Sequence, residues 1–161
     1  MIKVLFVCLG NICRSPLAEG IFIDLVVKNQ LTEQIQVDSA GTGGWHVGDK
    51  PDPRSQKVAH DNGIELTSRA RKLQQTDFDE FDYIIGMDRT NVRNINDLVN
   101  NSSKSYKTKV HMMREFEQKT GRVRDVEDPY YGGDYGFEEA FRILKHCNQN
   151  FLDFLIKEHN L

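Results

Sequence analysis

The sequence has no apolar run near the roughly 18 residues that would suggest a membrane span. Its apolar start, Met1 to Gly10, carries Lys3 and stops at Gly10 and Asn11. That is too short for a secretory signal with its cleavage site, and it reads better as a buried strand. Cysteine is scarce: Cys8, Cys13 and Cys147. An odd count without framework spacing argues against a secreted disulfide scaffold and favours a reducing, cytoplasmic setting. A basic surplus is also missing, with Lys plus Arg at 21, Asp plus Glu at 24 and a net charge of −3. No nucleic-acid partner held by a broad basic face is expected, although a local positive pocket remains open. Internal repeats and low-complexity segments are absent. The histidines at 46, 60, 111, 146 and 159 show no ligand spacing. Gly41-Thr42-Gly43-Gly44 lacks the third glycine and the following helix of a dinucleotide fingerprint.

What is there suits one domain over residues 1–161, long enough for a sizeable core. Residues 2–8 are apolar almost throughout, as in a parallel strand covered on both faces. Residues 9–14 read as a loop. A helix is expected to open at Ser15-Pro16, with Ser15 as cap and Pro16 at the first helical position. Leu17, Ala18, Ile21, Phe22, Leu25 and Val26 share its apolar face, and Glu19, Asp24 and Lys28 fall elsewhere. Further strands are expected over 36–40, 81–87 and 109–113. Further helices are expected over 54–62, 91–99 and 137–157, the last with Phe137, Ala140, Phe141, Leu144, Cys147, Phe151, Leu152 and Leu155 inward. Residues 41–53 and 122–136 read as long loops. Strands alternating with helices predict a doubly wound α/β sheet, whose ligand lies beyond the carboxyl ends of the strands. Strand one ends at Cys8.

Cys8-Leu9-Gly10-Asn11-Ile12-Cys13-Arg14-Ser15 carries the most information. Phosphoryl transfer to sulfur needs a thiolate and preorganised donors for the equatorial phosphate oxygens. A loop wrapping back before a helix can turn successive N–H groups inward, and the helix start adds partial positive charge. Gly10 and Asn11 tolerate left-handed backbone. Arg14 can hold two oxygens in a planar fork. Ser15 can donate a hydrogen bond to the Cys8 sulfur. Taken singly, Cys8 reads as a buried core cysteine and Gly10 as turn punctuation. In a strand–loop–helix context, together with Arg14, they read as a phosphate site. Asp128, held extended by Pro129, is the candidate acid for the leaving group, although Asp-Pro alone would be a turn. Trp45, Tyr130 and Tyr131 are aromatics in glycine-flanked loops. Arg69, Arg71 and Lys72 read as solvated surface.

The segment Val7 to Pro16 resembles the phosphate-binding loop of the low-molecular-weight protein tyrosine phosphatases. Asp38-Ser39-Ala40-Gly41-Thr42, Phe81-Asp82-Tyr83-Ile84, Met87-Asp88 and Asp128-Pro129-Tyr130-Tyr131 follow in family order. The resemblance implies a flavodoxin-like fold: a four-stranded parallel sheet with helices on both faces. It implies hydrolysis of phosphotyrosine on protein substrates through a cysteinyl-phosphate, with no metal, no organic cofactor and no membrane. Cys8 would attack and Asp128 would act as acid and then base. Leu9 to Ser15 would bind phosphate, Asn11, Ser15 and Ser39 would brace the loop, and Trp45, Tyr130 and Tyr131 would grip the aryl ring. A monomer is expected. The family also pairs a thiol such as Cys13 with the oxidised nucleophile, and small-residue packing explains Cys13 equally well. Cys147 fits the apolar stripe of the last helix. Where many members carry a histidine near residues 66–71, this chain has Ser68.

Three rivals share these features. Arginine phosphatases, on the same scaffold, would by resemblance carry Thr where this chain has Ile12. Arsenate reductases need relay cysteines, and none lies between Cys13 and Cys147. A non-catalytic phosphopeptide-binding module would have discarded Cys8 or Asp128, and both are present.

Overall fold

The computed structural model describes residues 1–118 and 120–161. Four strands form one parallel sheet: β1 (Ile2–Cys8), β2 (Ile35–Gly41), β3 (Tyr83–Gly86) and β4 (Lys109–Met112), in the order β2-β1-β3-β4. The helices are α1 (Arg14–Lys28), α2 (Pro53–Asp61), the short α3 (Asp77–Glu80), α4 (Arg89–Asn100) and α5 (Gly133–His159). Single 3-10 turns cover Met113–Glu117 and Pro129–Tyr131.

β1 is central and apolar on both faces because both faces are covered. Its residues alternate between two cores, as a period of two requires. Val4, Phe6 and Cys8 pack with α1, α2 and α5, and Leu5 and Val7 pack with Phe78 of α3 and Ile95 of α4. Phe6 meets Phe22 edge-on at 5.5 Å, and Phe22 stacks on Phe151 at 5.3 Å, which locks α1 and α5 onto one face. The expected inward face of α5 is buried throughout, including Cys147. This is the flavodoxin-like α/β architecture.

The strand order turns at β1, so the chain leaves its neighbours β2 and β3 in opposite directions along the sheet. That switch point opens a crevice at the carboxyl ends of β1 and β3. Cys8 stands at its floor, paired in register with Gly41.

Several element ends differ from expectation. α1 starts at Arg14 with Cys13 at the cap position and no side-chain cap, so Ser15 lies inside the first turn. Its hydroxyl is drawn to the Cys8 sulfur instead of the helix backbone. α3 was not anticipated, since four residues are too few for a readable period. α5 begins at Gly133, four residues before the expected Phe137, and Gly133 takes a positive φ of 69° at the turn after Tyr131. Among the described residues no helix is long and apolar enough to cross a membrane.

Candidate active site

The loop from Leu9 to Cys13 has its shape fixed from outside. The carbonyls of Cys8 and Leu9 accept from the N–H groups of Thr42 and Gly43, each at 2.9 Å. The carbonyl of Ile12 accepts from the N–H of Asp52 at 2.7 Å, and that of Cys13 from the Ser55 hydroxyl at 3.2 Å. In a trans peptide the N–H points opposite the carbonyl. Four carbonyls turned outward therefore turn the N–H groups of Leu9, Gly10, Cys13 and Arg14 inward, as an anion nest. The first turn of α1 carries no acidic residue, so its partial positive charge stays available to an anion.

Only Asn11 adopts the left-handed conformation in this loop, at φ 58°. A Cβ at Gly10 would lie 3.1 Å from the partly exposed His46 ring, which would have to shift by a few tenths of an ångström. Gly41 is needed for close approach, since its Cβ would lie 2.8 Å from the Leu9 carbonyl oxygen and 3.1 Å from the Asn11 nitrogen.

Below the loop runs a buried hydrogen-bond chain. Asn11 Nδ2 donates to Ser15 Oγ at 2.8 Å and to Ser39 Oγ at 2.9 Å. With its oxygen occupied as acceptor, Ser15 can direct its own proton to Cys8 Sγ, 3.0 Å away. Ser39 in turn donates to Glu19 Oε2 at 2.5 Å. The amide of Asn11 is held in this sense because its Oδ1 accepts the N–H of Arg71 at 2.9 Å. Sequence reasoning named Asn11, Ser15 and Ser39 but missed Glu19, which is buried at the end of the chain. Burial pushes the Glu19 carboxyl up, against hydrogen bonds from Ser39 and Ser68. Ser68 therefore joins the network at the position that set this chain apart. Arg71 is a correction: it is not solvated surface but half-buried, with its guanidinium on Asp38 and Asp77.

Arg14 is 2 % exposed. Its Nη1 is anchored by Asp88 Oδ2 at 2.6 Å and the Val126 carbonyl at 2.8 Å. The opposite edge is different. Nη2 has one long contact, 3.4 Å to Asp128 Oδ2, and the buried Nε has no acceptor among the described residues. Such a donor edge costs stability unless an anion meets it. Burial pulls the Arg14 pKa down, but Cys8, Asp88 and Asp128 outweigh it and the net direction is up, so the charge is secure. Asp88 was visible in the sequence only as part of a motif. Its role as anchor depends on β3 lying beside β1.

Cys8, Leu9, Gly10, Ile12, Cys13, Arg14, Trp45, His46, Asp128, Tyr130 and Tyr131 line one cleft of about 320 Å³. Asn11, Ser15 and Ser39 sit beneath it. Asp128 is braced by the N–H of Tyr130 on its Oδ1 at 3.1 Å. Trp45 and Tyr131 are 74 % and 91 % exposed, an apolar rim on a charged floor. Cys13 is buried; burial first, then Asp52 and Cys8, push its thiol up to about 12. A thiol in this cleft can attack a phosphorus atom held by the nest and Arg14, with a carboxyl at hand for the leaving oxygen.

Residues 3–161 match the family model described as low molecular weight phosphotyrosine protein phosphatase. A relative of that description from Schizosaccharomyces pombe is 48 % identical over 152 residues, covering 94 % of this chain and 95 % of its own. Among solved structures, a protein tyrosine phosphatase from Entamoeba histolytica, with Hepes in its active site, is 39 % identical, covers all of both chains and has a TM-score of 0.88. A drosophila arginine phosphatase is 34 % identical over 95 % of this chain and 97 % of its own, with a TM-score of 0.90.

Proposed function

The chain belongs to the low molecular weight phosphotyrosine protein phosphatase family, and from that premise we propose that it hydrolyses phosphotyrosine on proteins and other aryl phosphates through a cysteinyl-phosphate. The observation that carries the reading is the edge of Arg14 formed by Nε, unpaired among the described residues, and by Nη2, whose one contact is the long one to Asp128, in a cleft that Cys8 also lines. That edge and the inward N–H groups match the three equatorial oxygens of a phosphoryl group in transfer.

The thiolate of Cys8 attacks phosphorus and the bond to the ester oxygen breaks. Asp128, as the carboxylic acid, gives its proton to that oxygen, so a phenol leaves rather than a phenolate. The ionised Asp128 then takes a proton from water as the water attacks the cysteinyl-phosphate. Inorganic phosphate and the thiolate are released, with Ser15 donating to the sulfur as it becomes the leaving group. Trp45, Tyr130 and Tyr131 form the walls for the aryl ring; ring–ring contacts of this kind contribute about 0.5–1.5 kcal/mol each beyond area burial. Ile12 lines the cleft without a hydroxyl, which favours phosphotyrosine over phosphoarginine. No cofactor is called for. We further propose that residues 1–161 act as a single phosphatase domain, as a monomer in the cytoplasm.

Release of phosphate from an aryl phosphate in the presence of chelator tests the reading. Cys8→Ser is expected to abolish turnover, and Asp128→Asn to slow it by about 10²-fold or more. Full activity in Cys8→Ser would refute the mechanism. Parallel assays on phosphotyrosine and phosphoarginine peptides decide the substrate.

A further inference from the structure

The first turn of α2 touches both halves of the site. On one side it holds the phosphate loop, through the Asp52 N–H on the Ile12 carbonyl and the Ser55 hydroxyl on the Cys13 carbonyl. On the other side stands Arg54. Its Nε and Nη2 form two 3.0 Å hydrogen bonds to the two oxygens of Asp52. Asp52 is 9 % exposed and also caps α2 by accepting the Arg54 N–H at 2.8 Å. That fixes the guanidinium plane and leaves Nη1 to donate to the Tyr130 carbonyl at 3.0 Å. The same plane lies over the rings of Phe137, at 4.5 Å, and Tyr130, at 5.4 Å. Phe137 is fully buried in α5, so the stack has a fixed wall.

Tyr130 is gripped at both ends of its backbone. Its N–H holds the Asp128 carboxylate, and its carbonyl is held by Arg54. A rotation of the Tyr130 peptides would carry the carboxylate of Asp128 with it. Pro129 is buried, whereas Tyr130 and Tyr131 form an exposed flank, so the Arg54 bond to the Tyr130 carbonyl adds a hold on the outer side of the turn.

We propose that Arg54 is a positioning residue for the acid step: it ties the Asp128 turn to the same helix that shapes the phosphate loop. The inference rests on the phosphatase reading above. Lysine cannot replace it, since one ammonium cannot satisfy Asp52 twice, reach the Tyr130 carbonyl and stack on two rings at once. The sequence offered no sign of this, because Arg54 in isolation is a helix-start arginine.

The test compares kcat/KM for two esters that differ in leaving group. Phenyl phosphate needs its oxygen protonated; p-nitrophenyl phosphate needs this far less. In Arg54→Ala, kcat/KM for phenyl phosphate is expected to fall about tenfold more than for p-nitrophenyl phosphate, with Arg54→Lys between it and the wild type. Inhibition by inorganic phosphate should stay within about twofold, because the phosphate loop keeps Asp52 and Ser55. In an Asp128→Asn background, Arg54→Ala should add less than about twofold to the leaving-group difference. An equal fall for both esters, or an extra fall that persists without Asp128, overturns the proposal. If the alanine variant does not fold, Arg54→Lys and Asp52→Asn carry the same comparison. A wild type that hydrolyses neither ester overturns the phosphatase reading itself, whereas turnover with a loss independent of leaving group overturns only the role of Arg54.

Discussion

Asp88 joins two separate interactions, and two substitutions can pull them apart. One oxygen accepts from Arg14 Nη1 at 2.6 Å, and the other accepts the Asn91 N–H at 2.7 Å as the cap of α4. Arg14 is 2 % exposed and Asp88 20 %. Charges about 4 Å apart at an effective dielectric near 20 attract by about 4 kcal/mol, before dehydration takes back most of it. Removing one partner of a fully buried pair costs about 3–5 kcal/mol, because the other charge is left uncompensated. Here Asp88 still touches water, and the Val126 carbonyl and Asp128 remain to Arg14. About 2 kcal/mol is therefore expected for Asp88→Asn. Asparagine caps a helix as well as aspartate does, so that variant keeps the α4 cap. Asp88→Ala loses both, and about 1 kcal/mol more is expected. Urea unfolding at neutral pH, with the slopes compared, measures each difference. An asparagine variant within about 0.5 kcal/mol of wild type would refute the ion-pair reasoning. Equal losses in the two variants would refute the assignment to the cap.

Gly41→Ala should destabilise by about 1–3 kcal/mol and lower kcat/KM, since its Cβ meets the Leu9 carbonyl at 2.8 Å; unchanged unfolding and kinetics would speak against close approach as the reason for glycine. Glu19 predicts a pH signature. Its folded pKa is raised by burial above the ordinary 4.5, so the folded state binds more protons than the unfolded state just above that value. Stability from this group is full below 4.5 and is lost as pH rises through the raised folded value. Glu19→Gln removes the titration, so the stability of wild type relative to the variant should fall as pH rises above the ordinary 4.5 in denaturant titrations, and a flat difference contradicts the assignment. Iodoacetamide at neutral pH should label Cys8, with protection by inorganic phosphate, and spare Cys13, whose thiol is held up to about 12. Peptide mapping that finds Cys13 labelled first would overturn that ordering.

The parts legible in the sequence were those carried by neighbours along the chain. The apolar run of β1, the motif from Cys8 to Ser15 and the stripe of α5 each announce a local period or a local chemistry. The structure puts Cys8, Arg14, Asp128, Trp45, Tyr130 and Tyr131 around one cleft. The misses have a common cause. Glu19 looked like the polar side of an amphipathic helix, and Arg71 like surface, because periodicity assigns a face but not what covers it. Ser15 looked like a cap because its competing partner, the Cys8 sulfur, becomes its neighbour only when the loop closes.

By itself, then, the sequence determined the proposed nucleophile and its loop, the alternation of strand and helix and the family they belong to. These are properties of residue type and spacing, which exist before folding. Only the tertiary structure decided that Arg14 Nε is left without an acceptor among the described residues, which carboxylate anchors Nη1 and what steadies the turn of Asp128. Those depend on β3 lying beside β1, and on α2 reaching the Asp128 turn across 76 positions of chain between Arg54 and Tyr130. Separation of that order is invisible to any local pattern, because contacts between distant residues form only when the sheet order and the packing of its two faces have been fixed.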